Sequence, residues 1–296
     1  MHDFTPAWQA VTCHLCGRDA GQAEPVRLHG EPLTRGQFGY EVHPVLCPCG
    51  LVYLNPRWTG AGYGEFYTNH YDALYRLETK PDYGTEGVRR HMRQVWERIS
   101  PVFAARPAPV AVLDAGCGSG YGLQYLQEQL PAIKIFGIEA SPDCCRILQD
   151  EVKATLLDSD IDGPWLADHQ GRFDLIILRH VAEHFLTPVE TLQRLRRALA
   201  AGGLMYIAVP DMMHPRTVLR DYDKWWEYWF RAVHPYYYCR QTLFATLARA
   251  GLAPLVWGEE NEEVWCLAGA GPQAAEHCQD RELRASQAEL LNRLLP

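Results

Sequence analysis

The chain has 296 residues, of which 22% are charged and 47% are hydrophobic, and this ordinary globular composition argues against a disordered or fibrous protein. Its 28 basic and 36 acidic side chains give a formal net charge of -8, which disfavours a nucleic-acid partner because such proteins carry a basic surface. No apolar run approaches the roughly 20 residues of a membrane helix, and the first residues lack a secretory signal pattern, so we expect no membrane association and a cytoplasmic location.

Four of the ten cysteines lie near the start of the chain, in two short-spaced pairs. A disulfide framework is unusual in a reducing cytosol, so we interpret these four as ligands of one tetrahedral metal, with a glycine after each pair suited to a tight turn. The first spacing, Cys-x-x-Cys, is the usual zinc-ribbon form, whereas the second, Cys-x-Cys, is less diagnostic. His14 and His43 are alternative ligands. We therefore predict a structural zinc ion held by Cys13, Cys16, Cys47 and Cys49.

Composition divides the chain into four regions with different expected roles. We predict that residues 1–58 form a zinc-ribbon, and that residues 59–107 form a connecting helical region. We predict that residues 108–270 form an α/β domain with an aromatic insertion at 211–238, and that residues 271–296 form a tail helix. A helix over residues 87–103 and a proline-containing stop at 105–109 precede the α/β domain.

Within the α/β domain, strand-like and helix-like segments alternate. We predict strands at 110–114, 134–139, 154–157, 173–178, 204–209, 254–258 and 264–269, and helices at 121–130, after Pro142 (with Ser141 as N-cap), at 189–199 and at 241–250. An acidic turn at 259–263 joins the last two strands. This order predicts an α/β fold with a doubly wound, mostly parallel seven-stranded sheet that ends in an antiparallel hairpin.

A glycine-rich turn follows the first strand of this domain, with Gly116, Gly118 and Gly120 placed just before a helix. Glycine tolerates positive φ and lets a ligand approach the backbone closely, which is typical of a nucleotide site. The spacing does not fit the G-x-G-x-x-G turn that binds a pyrophosphate, which disfavours an NAD dehydrogenase. Asp114, before the glycines, would repel a diphosphate but can hold an ammonium or a hydroxyl group.

Acidic residues end the first three strands of the predicted sheet: Asp114, Glu139 and Asp158. Ligands of an open α/β sheet bind across the carboxyl ends of its strands. A carboxylate after the second strand can accept hydrogen bonds from both hydroxyls of a ribose, and one after the third can accept from an adenine amino group. Together with the glycine turn, these residues predict a site for an adenosine that carries an amino-acid tail.

Residues 113–120 (Leu-Asp-Ala-Gly-Cys-Gly-Ser-Gly) resemble the first motif of the class I S-adenosylmethionine (SAM)-dependent methyltransferases. Phe173–His184 resembles the fourth-strand motif of that family, and Leu199–Pro210 is similar to its fifth strand. The resemblance covers roughly residues 85–270 and implies SAM as the cofactor. The cofactor-binding residues that follow are Asp114, Gly116, Gly118, Gly120, Glu139 for the ribose, and Asp158 or Asp160 for the adenine.

The second cysteine pair continues into Cys-Gly-Leu-Val-Tyr-Leu-Asn-Pro-Arg at residues 49–57. This segment, with the aromatic stretch at 65–71, resembles the N-terminal zinc-ribbon of a methyltransferase subgroup that acts in sugar, surface-polysaccharide or secondary metabolism. The resemblance implies a small-molecule acceptor such as a sugar, a nucleotide sugar or a secondary metabolite.

Polar residues directly after the fourth strand are the candidates for activating an acceptor. An imidazole near its ordinary pKa is a competent base at neutral pH, so we predict His184 as the catalytic base and His180 as the second choice. Glu183 either orients one of these rings or, with His184, holds the turn. In the aromatic insertion, the helical spacing of Trp225 to Phe230 predicts an apolar face that either caps the acceptor or packs in the core. We predict His234 and Tyr237 of the same insertion as further contacts with the acceptor.

Two other functions remain open at this point. The zinc-ribbon can dock RNA or a protein that the SAM domain methylates, or it can be a recognition module joined to a vestigial SAM domain. Residues 1–58 contain about as many acidic as basic side chains, so they predict no basic nucleic-acid-binding face. The sequence leaves a homodimer open.

Overall fold

The computed structural model describes residues 4–76, 85–104, 110–213, 225–260, 262–271 and 281–294. The proline-containing stop at 105–109 and residues 214–224 of the aromatic insertion lie outside this part of the chain. In chain order, the strands β1 to β15 are Trp8–Gln9, Glu24–Pro25, Arg27–Leu28, Glu31–Pro32, Pro44–Leu46, Val52–Leu54, Arg57–Trp58, Ala111–Ala115, Lys134–Ile138, Thr155–Asp158, Phe173–Arg179, Leu199–Pro210, Tyr236–Tyr237, Leu252–Glu260 and Glu263–Ala270. The helices α1 to α8 are Gly60–Asn69, Thr85–Ala104, Tyr121–Gln129, Pro142–Ile147, Pro188–Ala198, Trp225–Trp229, Arg240–Arg249 and Arg281–Leu294.

The central sheet has seven strands in the order β10-β9-β8-β11-β12-β15-β14. The first five are parallel, β15 is antiparallel to β12, and β14 and β15 form the closing hairpin. The predicted doubly wound, mostly parallel sheet with a terminal hairpin is therefore confirmed. Ser141 also caps α4 as predicted, because its side chain accepts a hydrogen bond from the Cys144 N–H.

Helices cover both faces of this sheet, as expected for parallel strands that are buried on both sides. Apolar residues of α2 and α3 pack against one face, including Val95, Ile99 and Leu123. Residues of α5 and α7, such as Leu195 and Leu247, pack against the other face. The carboxyl ends of β8, β9 and β10 consequently lie side by side at one edge of a rigid layer.

Strand β12 begins earlier than the sequence predicts, at Leu199 instead of residue 204. Leu199 pairs with Phe173, and the register then shifts before Leu204 pairs with Leu175. Gly202 and Gly203, which lie between the predicted helix at 189–199 and the predicted strand at 204–209, fall within this irregularity. Gly202 has φ +75°, and a Cβ on Gly203 would lie 2.6 Å from the Phe173 carbonyl oxygen, so only glycine fits the close backbone approach.

The N-terminal cysteine region shares its packing with the rest of the chain. Its antiparallel sheet has the order β13-β6-β5-β2, and β13 comes from the aromatic insertion, nearly 200 residues downstream. Arg57 ties this region to the loop after β11, because its guanidinium donates to the Leu186 carbonyl oxygen (2.8 Å) and to the Tyr236 hydroxyl (3.0 Å). The Asn-Pro-Arg segment thus positions the loop that contains the predicted acceptor residues.

The described aromatic residues of the insertion contribute to a hydrophobic core with the N-terminal region. Phe230 is fully buried there, and Trp226 and Trp229 pack against the same core, which also includes Val42 and Leu54. The sequence left two roles open for the apolar face of α6, a cap on the acceptor or packing in the core. This arrangement favours packing in the core. Among the described residues, no helix is both long and apolar enough to cross a membrane.

Candidate functional site

The glycine turn after β8 leaves an open space at the carboxyl edge of the sheet. Gly116, Gly118 and Gly120 all have positive φ, of +82°, +54° and +78°. A Cβ on Gly116 would lie 2.6 Å from a Val181 methyl group, and a Cβ on Gly120 would lie 2.2 Å from Leu148, whereas one on Gly118 would meet nothing within 4 Å. Gly116 and Gly120 therefore allow close packing, and Gly118 borders the space that a ligand can occupy.

Glu139, at the end of β9, is held against this turn by backbone donors. Its two carboxylate oxygens accept hydrogen bonds from the Gly118 N–H and the Ser141 N–H, both at 2.8 Å. Burial raises the pKa of Glu139, and these backbone hydrogen bonds oppose the rise. Each carboxylate oxygen has a second lone pair, so the side chain can still accept from a ligand's hydroxyl groups.

Asp114, at the end of β8, is buried, with 7% of its surface exposed. Burial raises its pKa to about 7, and the negative charge of Glu139 adds to the rise, while Arg179 opposes it. A buried carboxyl group beside a half-buried one is costly without a cationic or hydroxyl-rich partner. The pair is therefore suited to a ligand that supplies such groups.

The Asp114 shift predicts a pH dependence of the ligand-free protein. A carboxyl group whose pKa is higher in the folded state stabilises the fold below its unfolded pKa, and this contribution is lost as pH rises through about 7. The full shift corresponds to about 4 kcal/mol. We expect the Asp114→Asn variant to gain stability relative to wild type between pH 4.5 and 8, measured by denaturant unfolding. If the free energies of unfolding of wild type and variant changed with pH in parallel, the assignment to Asp114 would be wrong. The control is Asp143→Asn on α4, where the aspartate side chain is 51% exposed.

The third predicted acid, Asp158, shapes its own turn at the end of β10. One of its oxygens accepts hydrogen bonds from the backbone N–H groups of Ser159 (2.8 Å) and Asp160 (3.2 Å). Asp160 in turn accepts from the Asp162 N–H (2.9 Å). Both carboxylates lie beside the edge formed by β8 and β9, and the choice between them for an adenine amino group stays a prediction.

No sequence pattern indicated Asp72, which lies in a π-helical turn (Asp72–Arg76) between α1 and α2. One of its oxygens accepts a hydrogen bond from the Ser141 hydroxyl (2.8 Å), and its charge contributes to the raised pKa of Glu139. The other oxygen is buried without a hydrogen-bond partner among the described residues. The connecting region therefore brings a further carboxylate to the predicted cofactor site.

Beyond β11, His180 belongs to a charged network that the sequence also did not reveal. His180 donates through Nε2 to Glu263 Oε1 (2.7 Å), and Arg98 donates to the other Glu263 oxygen (2.9 Å). Arg179 forms an ion pair with the same carboxylate, and the pKa of Glu263 is held well below its usual range by these partners. Glu263 thus fixes the proton of His180 on Nε2 and leaves Nδ1 as the acceptor.

His184, Glu183 and His234 form a second cluster next to this network. The His184 Nε2 lies 4.0 Å from Glu183 Oε1, and the rings of His184 and His234 meet edge to face with centroids 4.6 Å apart. The His184 Nδ1 contacts the Val233 carbonyl oxygen (2.7 Å) and the Tyr67 hydroxyl (2.8 Å). Burial lowers the pKa of His184 to about 3 and raises that of Glu183 to about 8.

Tyr237, the other predicted acceptor contact, uses its hydroxyl within its own loop. It donates to the Arg231 carbonyl oxygen (3.1 Å) and accepts from the Arg231 N–H (3.0 Å). Its ring is buried against Phe230. These contacts suit a structural role in which Tyr237 shapes the loop that presents His234.

The four N-terminal cysteines come together as a cluster of sulfur atoms. Cys13 Sγ lies 3.6 Å from Cys49 Sγ, and Cys16 Sγ lies 3.4 Å from Cys47 Sγ. All four sulfur atoms lie within 4.8 Å of one another. A tetrahedral ion with metal–sulfur bonds of about 2.3 Å requires sulfur atoms about 3.8 Å apart, so the four thiols fit zinc. Hydrogen bonds from Cys13 and Cys49 lower the pKa of Cys47, which favours its thiolate form.

The alternative ligands lie outside that cluster. The His14 Nε2 contacts the Thr246 hydroxyl (2.9 Å), and the His43 Nε2 contacts Glu41 Oε1 (2.8 Å). The glycines after the two pairs, Gly17 and Gly50, have φ of +71° and +90°, as the predicted tight turns require.

Comparison with known proteins places this geometry in a family. Residues 88–255, more than half of the 296-residue chain, match the family model described as "Methyltransferase domain". A chain from the complex between the Haloferax volcanii Trm112 methyltransferase activator and a methyltransferase shares the fold at 18% identity and a TM-score of 0.50, covering 68% of this chain and 98% of that one.

Curated relatives also include methyltransferases. The malonyl-[acyl-carrier protein] O-methyltransferase of Dechloromonas aromatica is 28% identical over 134 residues, which are 37% of this chain and 51% of the relative. The mitochondrial ubiquinone biosynthesis O-methyltransferase of Saccharomyces cerevisiae is 29% identical over 156 residues, 50% of this chain and 45% of the relative. The chain thus spans about half the length of these relatives. On the extent of the family match, it belongs to the methyltransferase-domain family.

Proposed function

We propose that this protein is a SAM-dependent methyltransferase whose acceptor is a small molecule, a sugar, nucleotide sugar or secondary metabolite. The observation that carries the proposal is the open glycine turn flanked by the buried carboxyl group of Asp114 and the half-buried carboxyl group of Glu139. SAM carries an ammonium group, a sulfonium group and two ribose hydroxyls, which are the groups that this pair can bind. The malonyl and ubiquinone relatives, named as O-methyltransferases, support the same reaction class.

In the proposed reaction, a lone pair on the acceptor forms a bond to the SAM methyl carbon. The carbon–sulfur bond breaks, and its electron pair stays on sulfur to give S-adenosylhomocysteine. The acceptor's proton passes to a base. Because the transfer is an in-line displacement, alignment of the two substrates contributes most of the acceleration that the protein supplies.

For the base, the hydrogen bonds favour His180 over His184, the reverse of the order that the sequence suggested. Glu263 holds the Nε2 proton of His180 and supports the imidazolium that forms when Nδ1 takes a proton. Burial lowers the pKa of both imidazoles. The Glu263 carboxylate opposes this fall for His180, whereas His184, with a pKa of about 3, holds a proton poorly at neutral pH. We therefore assign His184 to binding of the acceptor and not to proton transfer.

These two roles predict different kinetic losses. His180→Asn is expected to reduce kcat by roughly 100-fold or more with little change in acceptor KM, since a general base contributes about 10²–10⁴. His184→Asn is expected to raise the acceptor KM instead. Steady-state kinetics on an identified acceptor distinguish the two, with His43→Asn as the control at an exposed imidazole. Equal effects on kcat would contradict the assignment.

The cysteine cluster is proposed to hold one structural zinc ion, whose bond energy stabilises the N-terminal region. Cys13, Cys47 and Cys49 are at most 1% exposed, and a Cβ on Gly50 would lie 2.8 Å from Leu283 of α8. A cluster covered in this way is poorly suited to docking a macromolecule. It therefore supports a small-molecule acceptor over RNA or protein.

Two measurements test the function. Isothermal calorimetry with purified protein is expected to show SAM binding with a Kd below 1 mM, because two carboxylates and the glycine turn supply charge-assisted contacts. Incubation with SAM and a panel of nucleotide sugars and small metabolites is expected to yield S-adenosylhomocysteine with at least one of them. An absence of SAM binding at millimolar concentration would overturn the proposal.

A further inference from the structure

The cluster of Glu183, His184 and His234 contains an unusual buried carboxylate. Glu183 is 1% exposed, and neither of its two oxygens has a hydrogen-bond partner among the described residues. A buried carboxylate without partners is costly, so such groups are normally paired or bound to a metal. Burial raises the pKa of Glu183, while its own backbone N–H and the charges of Arg231 and Arg179 oppose the rise, and neither guanidinium group hydrogen-bonds to it. Both oxygens of Glu183 are therefore available to bind a further group.

The two histidines present matching donor atoms to this carboxylate. The Val233 carbonyl oxygen can only accept a hydrogen bond, so its contact with Nδ1 of His184 places the proton there and leaves the lone pair on Nε2. That Nε2 is the atom 4.0 Å from Glu183 Oε1. Metal-binding histidines characteristically donate their other ring N–H to a carbonyl or a carboxylate, as His184 does.

We propose that Glu183, His184 and His234 bind one divalent transition-metal ion at the acceptor side of the cofactor site. One ligand atom from each residue lies within 4.8 Å of the other two. Ligand atoms that share an ion at about 2.1 Å lie about 3.4 Å apart in tetrahedral geometry, so metal binding requires these atoms to move closer to one another by up to about 1.4 Å. Two imidazoles and one carboxylate suit a borderline metal such as zinc, iron, cobalt or manganese.

The fold holds this set firmly and leaves one side open. Glu183 and His184 lie in the 3₁₀ turn Ala182–His184, and His234 precedes β13, so the ligands come from two segments about 50 residues apart in sequence. Arg57 anchors the first segment through Leu186. The side chain of His184 is 22% exposed, and three protein ligands leave coordination positions for water or substrate.

The position of the set suggests its role, which rests on the proposed methyl transfer. Val181, directly before this turn, packs against Gly116 of the cofactor turn. An ion here would bind a hydroxyl or enol oxygen of the acceptor and lower its pKa, and the released proton would pass to Nδ1 of His180. The acceptor class then narrows to molecules with an oxygen that can ligate a metal.

Cobalt(II) titration of the zinc-loaded protein tests the site. Cobalt bound by imidazole and carboxylate absorbs in the visible region without the thiolate charge-transfer band that cobalt in the cysteine cluster would show. We expect one Co²⁺ per chain with that spectrum and an accompanying rise in Tm. Glu183→Gln and His234→Asn should each weaken Co²⁺ binding by at least ~100-fold, because even the loss of an outer-shell partner costs 10–100-fold.

The exposed His43–Glu41 pair, 2.8 Å apart, provides the matched controls His43→Asn and Glu41→Gln, which should leave Co²⁺ binding unchanged. Glu183→Gln preserves shape and removes a buried charge, so the variant should fold, and its zinc content confirms this. Equal Co²⁺ affinity in wild type and Glu183→Gln, or a thiolate band alone, would overturn the site. Calorimetry with SAM is run separately: Co²⁺ binding without SAM binding refutes the methyl transfer alone, and SAM binding without Co²⁺ binding refutes the metal site alone.

Discussion

The Glu139→Gln variant is expected to bind SAM about 10- to 100-fold more weakly than the wild type. The substitution places an amide NH₂ where one carboxylate oxygen accepts from the Gly118 or Ser141 N–H, so two donors would face each other. It also removes the charge that strengthens hydrogen bonds from the ribose hydroxyls. Charge-assisted hydrogen bonds contribute about 1.5–3 kcal/mol, which corresponds to the stated range of Kd.

Calorimetric titration with SAM and with S-adenosylhomocysteine measures this effect. Glu190→Gln, on the exposed side of α5, has the same chemistry at a position away from the turn and should bind like the wild type. Far-UV circular dichroism establishes that both variants are folded. A wild-type Kd for SAM in Glu139→Gln would mean that the cofactor uses a different edge of the sheet.

The Cys13→Ser/Cys16→Ser variant is expected to lose its zinc and a large part of its stability. Purified wild type should contain about one zinc per chain, and the variant well under one. Because Cys13, Cys47 and Cys49 pack in the same core as Leu195 and Leu247, the loss reaches the central sheet. We expect Tm to fall by at least ~10 °C, since each kcal/mol lost from the free energy of unfolding lowers Tm by about 2–4 °C in a chain of this size.

Metal analysis and thermal unfolding monitored by circular dichroism check this prediction. Cys145→Ser is the matched control, because the Cys145 thiol lies outside the cluster and donates a hydrogen bond to the Glu139 carbonyl oxygen (3.0 Å). It should keep the zinc content of the wild type. If the double variant also retained its zinc, the four-cysteine site would be wrong and the cluster would be a set of buried thiols.

The central sheet could be predicted from the sequence because its signals are local. Apolar strands such as β8 and β11 alternate with helices that have their own caps and stops, and these patterns lie within short windows of the chain. The residues at which the strands begin and end were harder to predict from the sequence. β12 begins five residues before its predicted start, because Leu199 pairs with Phe173 of the neighbouring strand directly after α5 ends.

The N-terminal region shows the same limit. Its cysteine spacing predicted the cluster, since both pairs lie in tight turns. Nothing in residues 1–58 indicated that β13 would complete their sheet or that Phe230 would fill their core. Those contacts depend on segments far apart in the chain, which no local pattern records.

The sequence by itself determined the family resemblance, the sheet, and the candidate residues Asp114, Gly116, Gly118 and Glu139, because a strand, a glycine turn and a strand-end acid form a contiguous signal. Only the tertiary structure decided what surrounds the cofactor and acceptor sides. Glu263 reaches His180 from the last strand, Asp72 reaches Ser141 from the connecting region, and His234 joins Glu183 and His184 from the aromatic insertion. Side chains separated by 50 to 90 residues come together through packing of buried surfaces, and the hydrogen bonds formed there set which imidazole holds a proton and which offers a lone pair.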